Sequence, residues 1–277
     1  MVEQRILEQS VRLPAGGALT GWAALRWRGA HYFEGTDRRT DLPLPVPVVL
    51  GGWRDIGRDH AIEVSRERFW WHELEMVDGV PCAIAERALF DELRRDRDRR
   101  GGVVAVEMTV AAGLLTFESF AAFLPSRNGW TGVPFVRTVV DWAGGDTASP
   151  PEALMRLVWM HDAGHPEPLC NKPVFDLHGG LLGVPDLFDP VAGVVGEYGG
   201  FDHTETDKRR DDRAREDRFL AHGLSFFELV TGDLKDTPRA VRRMHRARAE
   251  ALYLPPEKRR WTLDEPPWWL DLTRADR

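Results

Sequence analysis

The sequence predicts a mixed α/β chain (α+β overall) with two domains, in which helices flank a mixed sheet. A polar break rich in Pro and Gly at residues 144–151 divides the 277 residues, which are enough to bury two cores. After the break, the apolar periodicity follows the order helix, three strands, helix, strand, helix, and a mixed sheet covered by helices is the natural packing for that order. We therefore place an α+β domain at residues 1–146, a second domain at 147–252 and a Pro/Trp-rich tail at 253–277.

In the first domain, short helical patterns alternate with short apolar runs that are typical of strands. We predict helices at about residues 3–13, from residue 21 onward, and at 85–95, 102–113 and 117–124, and strands at 44–50, 62–64 and 76–83. Prolines in the run at 44–50 favour an edge position in the sheet. The run Arg94–Arg100 mixes charges of both signs and stops at Gly101, which indicates a solvated helix end.

The second domain has a clearer order of elements. We predict a helix at 149–164, strands at 173–177, 181–188 and 194–198, a polar helix at 204–222, a strand at 224–230 and a basic helix at 238–252. The tail is expected to be irregular, with its tryptophans packed back onto the domain.

Composition narrows the range of functions. Cys82 and Cys170 are too few for a disulfide framework and lack metal-ligand spacing. The chain does not begin with a basic segment followed by an apolar one, and no apolar run reaches the ~18 residues of a membrane span. We therefore expect a cytoplasmic protein with no membrane contact. The formal net charge of −7 argues against nonspecific coating of nucleic acid and leaves room for a local basic groove.

Two carboxylates in the second domain fall on a predicted β-hairpin. Apolar runs flank a Pro/Gly turn at residues 189–193, and a turn centred between Val191 and Ala192 would place Asp186 across from Glu197. Opposed residues have Cβ atoms about 4.5–5.5 Å apart, so two carboxylates would repel each other there. Either one carboxyl has a raised pKa or a hard cation such as Mg²⁺ lies between them, and both interpretations stay open.

A set of residues in the second domain is similar to a known family. The set comprises Glu152, Pro185-Asp186, Glu197-Tyr198, Gly200, His203, Asp212, Arg215, Glu216 and Gly223. In this order the residues resemble the PD-(D/E)XK restriction-endonuclease-like superfamily, and more closely its branch related to very-short-patch-repair endonucleases. The resemblance covers about residues 149–252 and implies a core of order αβββαβα that hydrolyses DNA phosphodiester bonds with Mg²⁺.

The resemblance also implies roles for single residues. Asp186 and Glu197 would bind Mg²⁺, helped by the main-chain carbonyl of Tyr198, and Glu152 would direct a further acid toward the metal. His203 would act as general base, because its ordinary pKa suits neutral pH. Two simpler interpretations stay open: Glu152 closes a capping box on the Ser149 amide, and His203 is an ordinary surface residue.

One position departs from the family pattern. Gly199 follows Glu197-Tyr198 where the superfamily has Lys and where this branch generally has Asp. Lysine would orient the attacking water, and aspartate would add a metal ligand. Glycine does neither, although its backbone allows close approach of a ligand.

The first domain resembles the C-terminal region of AbiEi-type antitoxin regulators of bacterial abortive-infection systems. The matching stretches are residues 19–25, Leu-Thr-Gly-Trp-Ala-Ala-Leu, and residues 85–91, Ala-Glu-Arg-Ala-Leu-Phe-Asp. The resemblance implies a regulatory or docking role, with a protein partner bound through this domain.

Arginines on the last predicted helix are the best candidates for contacts with DNA phosphates. Arg239, Arg242, Arg243 and Arg246 are less balanced by neighbouring acids in the sequence than the arginines of the polar helix at 204–222. The alternative is that they decorate the solvent face of a helix whose apolar side packs on the core.

Two functions follow from these observations. The first is a nuclease-like protein that hydrolyses DNA phosphodiester bonds with Mg²⁺, using Asp186, Glu197, Glu152 and His203. The second is a catalytically degenerate DNA-binding or antitoxin-like regulator, in which Gly199 marks a lost activity. Under the first, an Asp at position 199 should raise activity; under the second, it should leave binding unchanged.

Overall fold

The chain forms two compact units, Met1–Gly144 and Gly145–Arg277. The computed structural model describes residues 1–51, 56–57, 59–199 and 206–275. Both units combine helices with sheets, so the predicted mixed α/β class is confirmed. Among these residues, no helix has the length and apolar character that crossing a membrane would require.

The first unit contains a five-stranded sheet with helices before and after it. Its helices are α1 (Val2–Ser10), α2 (Gly21–Trp27), α3 (Ala85–Arg95), α4 (Arg99–Ala111), α5 (Phe117–Phe123) and α6 (Val133–Val140). Its strands are β1 (Ala18–Leu19), β2 (Val46–Val49), β3 (Ile62–Ser65), β4 (Leu74–Val77) and β5 (Val80–Ala83), in the spatial order β3-β2-β1-β5-β4.

The predicted edge position of the strand around Pro47 is wrong, because β2 lies between β1 and β3. Proline is tolerated there because β1 pairs only with Val48 and Val49. At the level of Pro47 the neighbouring chain has already turned toward α2, and the Thr20 amide donates to the Pro47 carbonyl at 3.0 Å. The missing N–H of proline therefore leaves no gap in the ladder.

Two helices of this unit differ from the prediction. Helix α4 begins at Arg99 rather than 102, because the Asp98 side chain caps it by accepting from the amides of Arg100 and Gly101, each at 3.2 Å. The charged run thus contains a helix start as well as a helix end. Helix α6 was not predicted; it is short, and it starts after Gly132, whose φ of 86° marks a left-handed turn.

The second unit is built around a mixed three-stranded sheet. Its helices are α7 (Pro150–Leu157), α8 (Thr206–Ala221), α9 (Thr237–Ala249) and α10 (Pro267–Ala275), and a π-helical turn (Val158–Asp162) extends α7. Its strands are β6 (Val174–Asp176), β7 (Leu181–Gly183), β8 (Leu187–Asp189), β9 (Val194–Gly199), β10 (Ser225–Val230) and β11 (Trp261–Thr262).

Helices cover both faces of the mixed sheet, as predicted. Strand β9 runs antiparallel to β8 and parallel to β10. On one face, Met155 and Trp159 pack with Met244 of α9 and with Leu187 and Leu229 of the sheet. On the other face, a second cluster contains Phe188, Val195 and, from α8, Phe219. This second face carries the candidate site.

The predicted single strand at 181–188 is wrong, because the chain changes sheets there. Strand β7 pairs with β6, and β8 pairs with β9 in the mixed sheet. Pro185 lies between the two strands, and proline has no N–H to continue a ladder. Asp186 follows directly, at the point where the chain enters the second sheet.

The predicted irregular tail is also wrong. It contains β11, which pairs antiparallel with β6, and helix α10. The expectation that its tryptophans pack back is confirmed, since the ring centroids of Trp261 and Phe188 lie 5.1 Å apart and those of Trp269 and Phe175 lie 5.6 Å apart. Aromatic burial therefore orders this segment despite its prolines.

Candidate functional site

The β8–β9 hairpin has the predicted register. Phe188 pairs with Val195 and Asp189 with Val194, which centres the turn between Val191 and Ala192. Asp189 stabilises the turn, because its Oδ1 accepts from the amides of Val191 at 2.9 Å and Ala192 at 3.2 Å. Turn chemistry in the sequence therefore sets the register of the whole hairpin.

This register places Asp186 and Glu197 opposite each other on one face of the sheet. Asp186 lies one residue before β8, and continuing the observed pairing sets it across from Glu197. Side chains alternate along strands, so both acids point to the same side as Phe188 and Val195, which pack under α8. The hairpin register thus sets the two predicted metal ligands at opposed positions, and their role as ligands stays a prediction.

The environment of Asp186 disfavours its charge. Burial is the main cause that raises the pKa of its carboxyl, to about 6, and the nearby Glu152 carboxylate raises it further. The Tyr198 amide, which donates to Oδ2 at 2.7 Å, and the Arg215 guanidinium lower the pKa. A carboxyl with a pKa of about 6 is half protonated near pH 6, and a cation beside it would lower that pKa again.

Glu197 is more deeply buried and is paired with a cation. It is 8% exposed, and Nη2 of Arg215 on α8 lies 3.0 Å from its Oε2. Burying an unpaired carboxylate is costly, so this ion pair supports the ionised form of Glu197. The arginine shows that positive charge is accommodated directly beside the acid pair.

Glu152 performs a capping role and also acts electrostatically on Asp186. Its Oε2 accepts from the Ala148 amide and from Nδ2 of Asn171, both at 2.8 Å, and its Oε1 accepts from the Ser149 hydroxyl at 2.6 Å. The sequence predicted that the Glu152 carboxylate accepts from the Ser149 amide. This contact is wrong by one residue, since the carboxylate accepts from the Ala148 amide instead. The two open interpretations are compatible, because the capping carboxylate also raises the pKa of Asp186.

The main-chain amide of Tyr198 contacts Asp186, whereas its side chain packs on the opposite face of the mixed sheet. Its amide holds Asp186, while its ring packs against the cluster under α9 and its hydroxyl lies 3.3 Å from Oγ1 of Thr231. The proposed role of its main-chain carbonyl stays a prediction. His203 and Gly200, with the neighbouring Asp202, lie outside the described residues, and their predicted roles also stay predictions.

The arginines of α9 are balanced by acids, contrary to the expectation from the sequence. Arg239 and Arg243 both pair with buried Asp233, at 2.9 and 3.3 Å, and Arg246 pairs with Glu250 at 2.8 Å. The partners were missed because Asp233 precedes the helix and is buried beside it. Arg242 is exposed and makes no hydrogen bond or ion pair with the described residues, which leaves its guanidinium available.

Sequence reasoning missed Glu228 on β10. In the parallel pairing of β9 and β10, Glu228 lies beside Glu197. A Cβ atom built on Gly199 would collide with Oε1 of Glu228 and lie 3.2 Å from its Cδ. One signal was present, since Glu228 is the charged residue in the otherwise apolar and polar-neutral strand Ser225–Val230.

The carboxylates do not yet form a closed metal cage. Within residues 1–51, 56–57, 59–199 and 206–275, no three His, Cys, Asp or Glu side chains converge closely enough to hold a metal ion. The arrangement consists instead of an opposed acid pair with a raised pKa on one member and an arginine on the other.

Comparisons with known proteins leave the family of the chain open: no family model, no curated protein and no solved structure matches it.

Proposed function

We propose that the second unit is nuclease-like and hydrolyses DNA phosphodiester bonds with Mg²⁺, which Asp186 and Glu197 bind. The observation that carries this proposal is the opposed position of the two acids on one half-buried face, with the pKa of Asp186 raised to about 6. Strongly perturbed carboxyls in such places are concentrated at functional sites.

The donor set fits a hard divalent cation. Mg²⁺ prefers carboxylate oxygens and is usually held by one or two carboxylates together with substrate phosphates and water. The Arg215 guanidinium lies 3.0 Å from the Glu197 carboxylate, so a positive charge is already bound next to this acid. The Tyr198 amide donates to Oδ2 of Asp186, and none of the residues that the structure describes donates to Oδ1, which could face a ligand.

Each residue then has a defined task in hydrolysis. A bound Mg²⁺ would polarise the scissile phosphate and lower the pKa of a water molecule. The carboxylates of Asp186 and Glu197 would bind the Mg²⁺ ion. Glu152 raises the pKa of the Asp186 carboxyl, which makes that carboxylate a stronger base and a stronger ligand for a cation. The water oxygen attacks phosphorus as His203 accepts its proton, the bond from phosphorus to the leaving sugar oxygen breaks, and that oxygen takes a proton from solvent.

The family assignment is part of this proposal. The resemblance to the PD-(D/E)XK superfamily is supported by the mixed sheet with helices on both faces and by the positions of Glu152, Asp186 and Glu197. Two departures count against it, namely the change of sheets at Pro185 and the glycine at position 199.

A cleavage assay tests the proposal. The full chain is incubated with supercoiled and single-stranded DNA in MgCl₂ or MnCl₂, alongside Asp186→Asn and the matched control Asp217→Asn, an exposed acid on α8. We expect cleavage by the wild type and the control, and its loss in Asp186→Asn. A folded wild type that cleaves neither DNA in either metal would contradict the proposal.

A second candidate function is a non-catalytic DNA-binding or antitoxin-like regulator. The ion pair between Arg215 and Glu197 favours it, because an internal cation can replace the metal in a retained scaffold. This candidate predicts DNA binding that depends on salt and is the same in EDTA as in MgCl₂. A protein partner bound through the first unit belongs to this candidate and stays a prediction.

A further inference from the structure

Strand β4 forms an open edge of the sheet in the first unit. It pairs with β5 on one side and ends the spatial order β3-β2-β1-β5-β4, so no strand among the described residues pairs with its other side. Asp78 and Gly79, with φ values of 46° and 78°, join β4 to β5 in a two-residue turn. An unpaired strand edge is a template on which a further strand can pair.

The register of the β4–β5 hairpin determines which main-chain groups face this open side. In an antiparallel pair, residues that bond to the neighbouring strand alternate with residues whose amide and carbonyl point away from it. The Glu73 carbonyl accepts from the Ile84 amide at 2.8 Å, so Glu73 and every second residue after it bond toward β5. The amides and carbonyls of Leu74 and Met76 therefore point to the open side.

Large apolar side chains lie exposed at the same edge. Trp71, in the turn directly before β4, is 87% exposed, and Met76 is 61% exposed. The adjacent Trp70 instead packs in the unit, with the Arg127 guanidinium 4.7 Å from its ring. Tryptophan is enriched among the residues that carry most of the binding energy at protein interfaces. The edge thus offers main-chain hydrogen bonds and apolar contacts together.

The charge at this edge disfavours a second copy of the chain as its occupant. The Glu75 side chain is 52% exposed and pairs with Arg28 at 2.7 Å. Two antiparallel copies of β4 in full register would set Leu74 opposite Met76 and Glu75 opposite Glu75, and like charges directly opposed are destabilising. The sequence from residue 69 to residue 86 has no Lys or Arg that could offset them. A basic side chain opposite Glu75 would be favourable instead.

We infer that β4 binds an extended peptide segment of a protein partner, which adds an antiparallel strand to the open edge. The segment carries a basic side chain opposite Glu75 and apolar side chains opposite Leu74 and Met76. Main-chain hydrogen bonds supply affinity in this mode of recognition, and the alternating side chains supply specificity. The inference concerns the first unit alone and does not depend on the proposed hydrolysis.

Amide hydrogen exchange with a synthetic probe tests the inference. The probe is the capped peptide Thr-Val-Lys-Phe-Thr, whose Val, Lys and Phe would lie opposite Met76, Glu75 and Leu74; in the control peptide, Glu replaces Lys. Exchange in the full chain is followed by NMR with each peptide. We expect the Lys peptide to slow exchange at Leu74 and Met76 and to leave Glu75 and Val77, which bond toward β5, unchanged. The control peptide should bind about fivefold more weakly.

Two substitutions at one position separate the main chain from the side chain. Met76→Pro and Met76→Thr both remove the thioether side chain, but only proline removes the outward amide. We expect Met76→Thr to weaken binding of the Lys peptide about threefold and Met76→Pro to abolish it. Slow exchange at Glu75 and Val77 checks that the β4–β5 ladder is intact in each variant. Glu75→Lys should reverse the preference between the two peptides.

Four outcomes would overturn the inference. Unchanged exchange at Leu74 and Met76 with the Lys peptide would show that the edge does not accept a strand, and equal affinity for both peptides would remove the charge preference. Retained binding in Met76→Pro would place the peptide elsewhere. Analytical ultracentrifugation should find a monomer; a wild-type dimer that Met76→Pro dissociates would show that a second copy covers β4. None of these results bears on DNA cleavage, so the proposed function stands or falls separately.

Discussion

The two units each bury a cluster of charges, and the clusters differ in how those charges are paired. In the first unit, Glu73 lies between Arg87 and Arg127; all three side chains are almost fully buried. In the second unit, Asp186 and Glu197 lie opposite each other at a half-buried face, with Arg215 beside Glu197. The first cluster alternates charges of opposite sign, whereas the hairpin register of the second sets two acids at opposed positions, one of them with a pKa raised mainly by burial.

Aromatic rings strengthen this difference. The Arg127 guanidinium lies 4.7 Å from the ring of Trp70 and 5.1 Å from that of Trp130, and Arg87 lies 4.8 Å from Trp130. Such stacking attracts the buried guanidinium groups to the faces of the rings. The first cluster is paired and stacked, whereas in the second the charge of Asp186 is disfavoured by burial and by Glu152.

The largest expected effect is in the first cluster. Glu73→Gln removes the charge that both arginines contact, so buried Arg127 loses its carboxylate partner while Arg87 keeps Asp91 at 2.9 Å. We expect the free energy of unfolding to fall by about 3–5 kcal/mol, measured by urea denaturation. The control Glu75→Gln, at an exposed ion pair with Arg28, should cost less than about 1 kcal/mol. Equal effects of the two changes would show that burial does not set the strength of the Glu73 cluster.

In contrast to Glu73→Gln, the Asp186→Asn substitution is expected to raise the free energy of unfolding. Because burial raises the pKa of Asp186 from 3.8 to about 6, the folded protein binds this proton more tightly than the unfolded chain does. The free energy of unfolding therefore falls as pH rises from about 4 to 6 and stays lower above that range. Asparagine carries no charge, so we expect a gain of about 1–3 kcal/mol at pH 7.5 and little change at pH 4. Denaturation at both pH values measures it, and a loss of stability at pH 7.5 would contradict the account.

An effect of intermediate size, on Mg²⁺ affinity, is expected for substitution of Arg215. Arg215→Gln removes the cation 3.0 Å from Glu197, so a metal ion no longer competes with it. We expect Mg²⁺ to bind about tenfold more tightly and the metal-free protein to be less stable. Arg213→Gln, an exposed position on the same helix, is the matched control. Weaker Mg²⁺ binding in Arg215→Gln would show that the arginine supports the metal site instead of occupying it.

The smallest effect concerns DNA contact through α9. Arg242 is exposed, whereas Arg239 is paired with Asp233 at 2.9 Å. We expect Arg242→Gln to reduce the slope of log affinity against log salt by about 1, and Arg239→Gln to reduce it by less. Fluorescence anisotropy with a labelled duplex over a range of salt concentrations measures both slopes. Identical slopes in wild type and Arg242→Gln would exclude this arginine from the DNA surface.

Local chemistry made part of the site predictable. The Asp-Pro turn that ends at Gly193 carries its own geometry in the sequence, so the register that opposes Asp186 to Glu197 could be inferred. The Ser-Pro-Pro-Glu start of α7 likewise indicated a cap that uses Glu152.

Long-range pairing could not be predicted in the same way. The ion pair of Arg215 with Glu197 depends on how α8 crosses the sheet, and the position of Glu228 beside Glu197 depends on a parallel pairing across the intervening helix. The change of sheets at Pro185 also follows from tertiary packing, since the sequence pattern predicted one strand over residues 181–188. Periodicity describes one segment at a time and carries no information about its neighbours.

Calorimetric titration of the full chain with MgCl₂ at pH 7.5, comparing wild type with Glu197→Gln, tests the cation site most directly. The opposed acids should give saturable binding in the wild type that Glu197→Gln weakens at least about tenfold. A folded wild type that binds no Mg²⁺, or a variant that binds it equally well, would contradict the account.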